Sequence, residues 1–414
     1  MRYLLFKYLN SFIKTKWISV FLLTSFCQGA WPSNPNIIFI LADDMGYGDV
    51  QSINTSSKVP TPNLNLLASQ GMTFIDAHSP SSVCTPTRYA TLTGRYSWRS
   101  KLKKGVLNGY SSPLLEKGRE TVASMLRSNG YYTSIVGKWH LGLEFQKTPE
   151  GKINYEKTIN NGPNQHGFDF SYIIPASLDF PPYIYIRDGN ITELPVVQQQ
   201  SAGFPGFLRS GPRQPGLKIN DCLDDLTSEA NRVIREGAIN DQPFFLYFPL
   251  TAPHKPVQPH PRFIGKSKLG LYGDFVMQVD HHMGELLKAV KAAGIDENTL
   301  VFFTSDNGCS PEGNFPLLKE NGHDPSAGYR GHKADIYEGG HRVPMIARWP
   351  KGIAAGQKTN ALACLTDLYA TMRDVIGKNP AKKGNIGEDS FSLLPAFRGK
   401  SETTRKTLIS HSIG

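Results

Sequence analysis

Two polar pairs in the sequence have side chains that could hold a metal. Asp43-Asp44 closes the apolar run NIIFILA (Asn36 to Ala42), and Asp306-Asn307 closes TLVFFTS (Thr299 to Ser305). All four side chains offer oxygen, three of them as carboxylates, and such a set suits a hard divalent cation, Ca2+ or Mg2+. Asp-Asp and Asp-Asn-Gly are also ordinary turn sequences, so neither pair alone argues for a metal. Their shared place after an apolar run does. Lys138 closes a third run, YTSIVG, with His140 just beyond it, and the run PFFLYFPL leads to His254. With Arg88 and Lys333, these side chains could surround an anion. A lone His or Lys is more often merely solvated or satisfied. The matching positions weaken that reading for Lys138 and His254, and less so for Lys333.

Such residues act together only if the fold gathers them. Each run has the continuous apolar character of a strand buried on both faces. Helical patterns lie between the runs. Thr61-Pro62 leads into NLNLLASQG with a cap residue, a proline in the first turn and a closing glycine. ETVASMLRSNG (Glu120 to Gly130) ends in the same way, and Phe275, Val279, Met283, Leu286, Leu287 and Val290 keep helical spacing. The alternation predicts an α/β fold with a large, mostly parallel central sheet flanked by helices. Open sheets of this kind bind ligands outside the carboxyl ends of their strands. Residues 147–216, rich in Pro, Gly and Asn, read as long loops or an insertion over one edge of that site, where specificity usually resides.

The chain has 414 residues, 39% hydrophobic, enough for a sizeable core. Its formal net charge of +10 favours anionic partners. No Lys/Arg run is dense enough for a nucleic-acid arm, so nucleic acid is not expected. Arg2, Lys7, Lys14 and Lys16 precede the short apolar stretch WISVFLLTSF, with Gly29 and Ala30 following. Residues 1–30 therefore read as a cleaved signal peptide of an exported protein, periplasmic or secreted, with no stable membrane span after cleavage. A retained anchor is the lesser reading. Bulky Phe26 before Cys27 argues against a lipoprotein. The other cysteines, Cys84, Cys222, Cys309 and Cys364, form no CxxC pair, zinc spacing or visible disulfide framework. Cys84 therefore needs another explanation, unless it is simply buried.

Cys84 opens CTPTRYATLTGR, and that stretch resembles the signature of type I sulfatases of the alkaline phosphatase superfamily. LADDMGYGD (Leu41 to Asp49), GKWHLG (Gly137 to Gly142), APHKP (Ala252 to Pro256), SDNG (Ser305 to Gly308) and GHKADIYEGGHRVP (Gly331 to Pro344) match the other family blocks in order. The resemblance implies a catalytic domain over residues 31–377, and conversion of Cys84 to formylglycine by a sulfatase-maturing enzyme. It also implies a cation, Ca2+ before Mg2+, held by Asp43, Asp44, residue 84, Asp306 and Asn307. The bottom-up reading agrees, because a thiol is a soft ligand among hard carboxylates and a hydrated aldehyde is not. A helix beginning at Cys84 would also turn backbone N–H groups toward an anion. Thr87 stands where the family usually has serine, and its extra methyl bears on recognition by the maturing enzyme.

The implied mechanism is nucleophilic. One hydroxyl of the hydrated formylglycine, activated near the metal and Asp306, attacks the sulfur of a sulfate ester. His254 or Lys333 gives a proton to the leaving alcohol. His140 then deprotonates the second hydroxyl, which releases sulfate and restores the aldehyde. Arg88 and Lys138 hold the formylglycine, and Lys333 and His254, with Lys138 beside them, bind the sulfate group. Export, charge and family together point to a sulfated carbohydrate, a glycosaminoglycan or algal polysaccharide fragment. Within ASLDFPPYIYIRDG (Ala176 to Gly189), Asp179 and Tyr183 are candidate sugar contacts, though the segment could equally only pack a loop. A phosphatase or phosphonate hydrolase of the superfamily, and a non-catalytic sulfated-glycan binder, are the rival readings. Residues 378–414 read as the start of a small C-terminal subdomain that is largely missing.

Overall fold

The computed structural model describes residues 34–378, 386–400 and 405–413. The expected signal peptide lies outside the described residues, as does part of the 378–414 segment. Among the described residues, no helix is long and apolar enough to cross a membrane.

The strands are β1 (Asn36–Asp43), β2 (Met72–Phe74), β3 (Ala77–His78), β4 (Tyr132–Lys138), β5 (Phe170–Ile174), β6 (Ile186–Arg187), β7 (Asn190–Ile191), β8 (Val197–Gln199), β9 (Gly211–Arg213), β10 (Phe244–Pro253), β11 (Thr299–Ser305), β12 (Met345–Arg348), β13 (Gln357–Thr359) and β14 (Ala363–Cys364). The helices are α1 (Pro62–Ser69), α2 (Cys84–Thr93), α3 (Val122–Ser128), α4 (Cys222–Ile239), α5 (Gly270–Ala292), α6 (Phe315–Glu320), α7 (Glu338–His341), α8 (Leu368–Val375) and α9 (Leu394–Phe397). The main sheet has ten strands in the order β13-β2-β12-β11-β1-β10-β4-β5-β6-β7. Its centre, β11-β1-β10-β4-β5, is parallel throughout. Antiparallel pairings appear toward both flanks, where β12 joins β11 and β2, and β6 joins β5 and β7.

The apolar runs are buried on both faces because helices cover both sides. Ile37, Ile38, Ile40 and Leu41 of β1 are fully buried. On one side α4 and α5 pack on each other and on β10. Phe275, Val279, Met283, Leu286 and Val290 of α5 are buried, and Leu287 packs half-buried at their edge. On the other side α2 and α3 pack against α8. One local expectation needs correcting. Thr61 precedes α1 as a cap residue, yet its hydroxyl accepts from Gln51 N at 3.0 Å and not from the helix. The first-turn amides of Asn63 and Leu64 donate instead to Asp280 of α5, at 3.1 and 2.8 Å. Spacing along the chain could not reveal a cap supplied by another helix.

Residues 147–216 form short strands and turns. Residues 386–400 and 405–413 pack back onto the segments flanking α2. Arg99 pairs with Asp389 at 2.7 Å, Ser82 N donates to His411 O at 3.0 Å, and Gly105 N donates to Ile413 O at 2.7 Å.

Candidate active site

Four neighbouring parallel strands end at the same edge of the sheet. β1 ends on Asp43, β4 on Lys138, β10 just before His254 and β11 just before Asp306. The shared edge is what brings together residues far apart in sequence. Gly137 permits the approach at β4: its φ is +130°, and a Cβ there would lie 2.0 Å from Pro249 O. Asp44 (φ 66°), His140 (φ 58°) and Ala334 (φ 74°) all adopt left-handed backbone conformations. Such strain gathers where surrounding structure fixes a functional residue.

The carboxylates and cations interlock. Lys138 Nζ donates to Asp43 Oδ2 at 2.6 Å. Arg88 donates to Asp306 Oδ2 from Nε at 3.1 Å and from Nη2 at 2.7 Å, and Nη1 donates to Lys138 O at 3.1 Å. Lys333 Nζ donates to Asp44 Oδ2 at 2.7 Å, and Asn307 Nδ2 to Asp44 Oδ1 at 2.7 Å. Asp44 N donates to Asp306 Oδ1 at 3.2 Å. All of these side chains except Lys333 are fully buried.

Two acceptors are left over. Asp43 Oδ1 and Asn307 Oδ1 are buried without a hydrogen-bond partner. Donor atoms of Asp43, Asp44, Cys84 and His254 lie within 4.8 Å of one another. Buried oxygens without a hydrogen bond among crowded carboxylates suit a hard divalent cation. Burial pushes the Cys84 thiol up to about 12, so without a bound cation an unmodified Cys84 is no thiolate nucleophile at neutral pH. Burial, then the Asp43 charge, also pushes Asp306 up to about 7 against the pull of Arg88. A divalent ion would reverse that. Burial works against ionised Asp43 as well, but Lys138, His254, Arg88 and Lys333 hold it well below its usual value.

Both histidines are poised as bases. Burial, helped by Lys138 and Arg88, holds His140 well below its usual value. Its Nε2 lies 2.7 Å from Leu107 O and must donate there, which leaves Nδ1 bare, buried and unpartnered. Burial and Lys333 hold His254 down in the same way. Its Nδ1 faces Lys255 O at 2.5 Å, which leaves Nε2 bare, 3.6 Å from Asp44 Oδ2.

Thr85 emerges from the geometry and not from the sequence. Its hydroxyl donates to His140 O at 3.1 Å and accepts from Leu107 N at 3.2 Å, while Leu107 O takes the His140 proton. The closed ring fixes both the backbone and the tautomer of His140. Thr85→Val is expected to lower kcat about 10-fold with KM little changed, since small displacements of catalytic groups carry large rate costs. Thr85→Ser should restore the rate. Equal activity in the valine variant would refute the role. Thr87, the departure from the family signature, is fully buried, and its hydroxyl donates to Ser81 O at 2.9 Å.

A cavity of about 360 Å³ opens over this cluster, lined by Cys84, His140, His254, Lys333, Asp179 and Arg209 among others. Asp179 is buried and pairs with Arg209, and its Oδ1 has no partner. Arg209 also lies over the Phe180 ring, 4.0 Å from its centroid. Tyr183 departs from the expected sugar contact. It does not line the cavity, and its hydroxyl donates to Arg209 O at 2.7 Å and accepts from Arg209 N at 3.1 Å. It braces the loop that carries Asp179. Arg209 was missed in the sequence because it lies in a weakly patterned segment, and Lys255, paired with Glu312 at 2.7 Å beside the cavity, sits within the APHKP block without having been singled out.

A largely parallel sheet whose strand ends gather buried carboxylates, cations and Cys84 is the arrangement of a hydrolase of the alkaline phosphatase superfamily. The sulfatase family model matches residues 35–378. The chain belongs to the sulfatase family and is a sulfuric ester hydrolase. An N-acetylgalactosamine-6-O-sulfatase of Bacteroides thetaiotaomicron is 32% identical over 423 residues, covering 93% of this chain and 81% of that protein. Arylsulfatase A of Bos taurus is 36% identical over 394 residues, covering 92% and 71%. A solved 6S-sulfatase structure from work on glycosaminoglycan metabolism by Bacteroides thetaiotaomicron superposes with a TM-score of 0.82 at 31% identity, covering 92% of this chain and 85% of that one.

Proposed function

We propose that this enzyme removes sulfate from a sulfated carbohydrate, with a hexosamine 6-sulfate of the glycosaminoglycan type as the first candidate. The reading rests on the buried cluster around Cys84 and on the 6-sulfatase named among its relatives. Asp43, Asp44, Asp306 and Asn307 would hold a divalent cation, Ca2+ before Mg2+, with residue 84 matured to formylglycine. That cation supplies positive charge for the ester oxygens. Asp43, Asp44 and Asp306 balance Arg88, Lys138 and Lys333, so a bound divalent ion leaves the centre net positive and attractive to an anionic ester.

The chain's own residues supply the rest. Lys333 binds sulfate oxygens at the cavity floor and can protonate the departing alcohol; His254 can share both roles only after its bare Nε2 takes up a proton. Lys138 supports the same group from behind Asp43. Bare Nδ1 of His140 takes the proton from residue 84 that permits release of product. Arg88 orients Asp306. Asp179 Oδ1 is free to accept from a sugar hydroxyl, and Arg209 holds that carboxylate in place. The enzyme acts after export, and a maturing enzyme is its obligatory partner.

The test uses protein whose formylglycine has been verified by mass spectrometry of the Cys84 peptide. It is offered defined sulfated saccharides, an aryl sulfate and an aryl phosphate. Sulfate release from the saccharides, with aryl sulfate turned over far faster than aryl phosphate, is expected. Preferred phosphate turnover would favour the phosphatase reading, and activity with only unmodified cysteine would sink the mechanism.

A further inference from the structure

A second group of donors lies outside the catalytic cluster. His78 ends β3, while Glu338 and His341 share one face of α7. One donor atom from each lies within 4.8 Å of the others. His78 and His341 are only 3% and 8% exposed. Their Nδ1 atoms face each other at 3.0 Å. The other nitrogen of His78, Nε2, is 2.9 Å from Asp76 Oδ1. A neutral His78 carries its proton there and turns a bare Nδ1 toward His341. Two such nitrogens need a shared proton or a metal ion between them.

The surroundings favour the ion. Arg342 already neutralises the local carboxylates, with Nη2 at 2.8 Å from Asp76 Oδ1 and Nε at 2.6 Å from Glu338 Oε2. Metal-ligating histidines commonly donate their other ring N–H to a carboxylate, as Nε2 of His78 can to Asp76. Imidazole nitrogens with one carboxylate suit zinc-type ions, whereas the oxygen set around Asp43 suits Ca2+ or Mg2+. Zinc–nitrogen bonds of about 2.0–2.1 Å place tetrahedral ligands roughly 3.3 Å apart, near the distance observed.

We propose that His78, His341 and Glu338 bind one zinc-type transition ion, with water completing the tetrahedron, at a site separate from the catalytic centre. The ion braces the segment leading to the nucleophile. Ser79 N donates to His341 O at 2.7 Å, and Ser81 O accepts from Thr87 in the first turn of α2. The site therefore ties α7 to the chain just ahead of Cys84.

The test uses the full chain carrying Cys84→Ser, stripped of transition ions and kept in excess Ca2+. Zn2+ alone is titrated by calorimetry, and Co2+ by visible absorption. One Zn2+ per chain and an intense tetrahedral cobalt band are expected. His341→Gln should abolish the cobalt band, and Asp76→Asn should weaken Zn2+ binding at least about 10-fold. Should His341→Gln fail to fold, Glu338→Gln, altered at a half-exposed side chain, must still weaken binding. No Zn2+ uptake by the parent, or uptake unchanged in His341→Gln and Glu338→Gln, would overturn the proposal. The result is independent of sulfate-ester turnover, so failure here leaves the catalytic reading untouched.

Discussion

Cys84→Ala is expected to lower sulfate-ester turnover by about 10⁴-fold or more, the scale seen when a catalytic nucleophile is deleted, while leaving the fold unchanged. Cys84 is a small side chain at the first position of α2 and is 1% exposed, so alanine fits the same space. The thiol itself is held protonated by burial, so the loss would not be that of a thiolate. Cys84→Ser separates the two ideas. A serine keeps one hydroxyl but lacks the second one from which His140 is proposed to take a proton. It is expected to turn over once at most, visible as sulfate retained on the protein. Sustained turnover by Cys84→Ser would refute the need for formylglycine. Rapid quench, mass spectrometry and unfolding curves together check all three outcomes.

Arg88→Met is the second large effect, and it falls on stability as well as rate. Arg88 is fully buried and makes two hydrogen bonds to Asp306, while its Nη2 lies 3.4 Å from Asp43 Oδ1. Methionine fills similar space but leaves two buried carboxylates facing each other. Breaking a buried pair from one side costs about 3–5 kcal/mol. A bound divalent ion would offset part of that, so the variant should depend far more steeply on added Ca2+ than the parent does. The expected readout is a lower unfolding midpoint in chelator, with partial recovery in excess Ca2+. A midpoint equal to the parent's in chelator would mean that the Arg88 pair contributes nothing net.

The polar cluster at the strand ends was legible because burial leaves a strong mark. A strand covered on both faces must be apolar to its end, so a charged residue there stands out, as at Asp43, Lys138 and Asp306. Arg88 and Lys333 lie on a helix and a loop, where charge is ordinary, and motif order placed them. Thr85 had no such mark, since threonine at a helix start is common and its ring with His140 and Leu107 joins three distant segments. Tyr183 misled for a related reason: an aromatic near a candidate sugar contact can as easily hold the loop as touch the ligand. The cap on α1 supplied by Asp280 lies beyond any reading of local spacing. The parallel centre of the sheet followed from the apolar runs, whereas the short flanking strands β6, β7, β12 and β13 are too brief to leave a period.

The four adjacent strand ends also divide the labour of the molecule. Asp43, Lys138, His254 and Asp306 sit at or just past the ends of sheet strands, whereas Asp179 and Arg209 lie on loops outside the main sheet, held to each other by their ion pair. The proposed chemistry and the proposed sugar contact thus lie on separable parts of one chain. Rewriting the loops can redirect the enzyme toward another sugar without disturbing the machinery beneath, which makes the fold a chassis on which new specificities can be mounted.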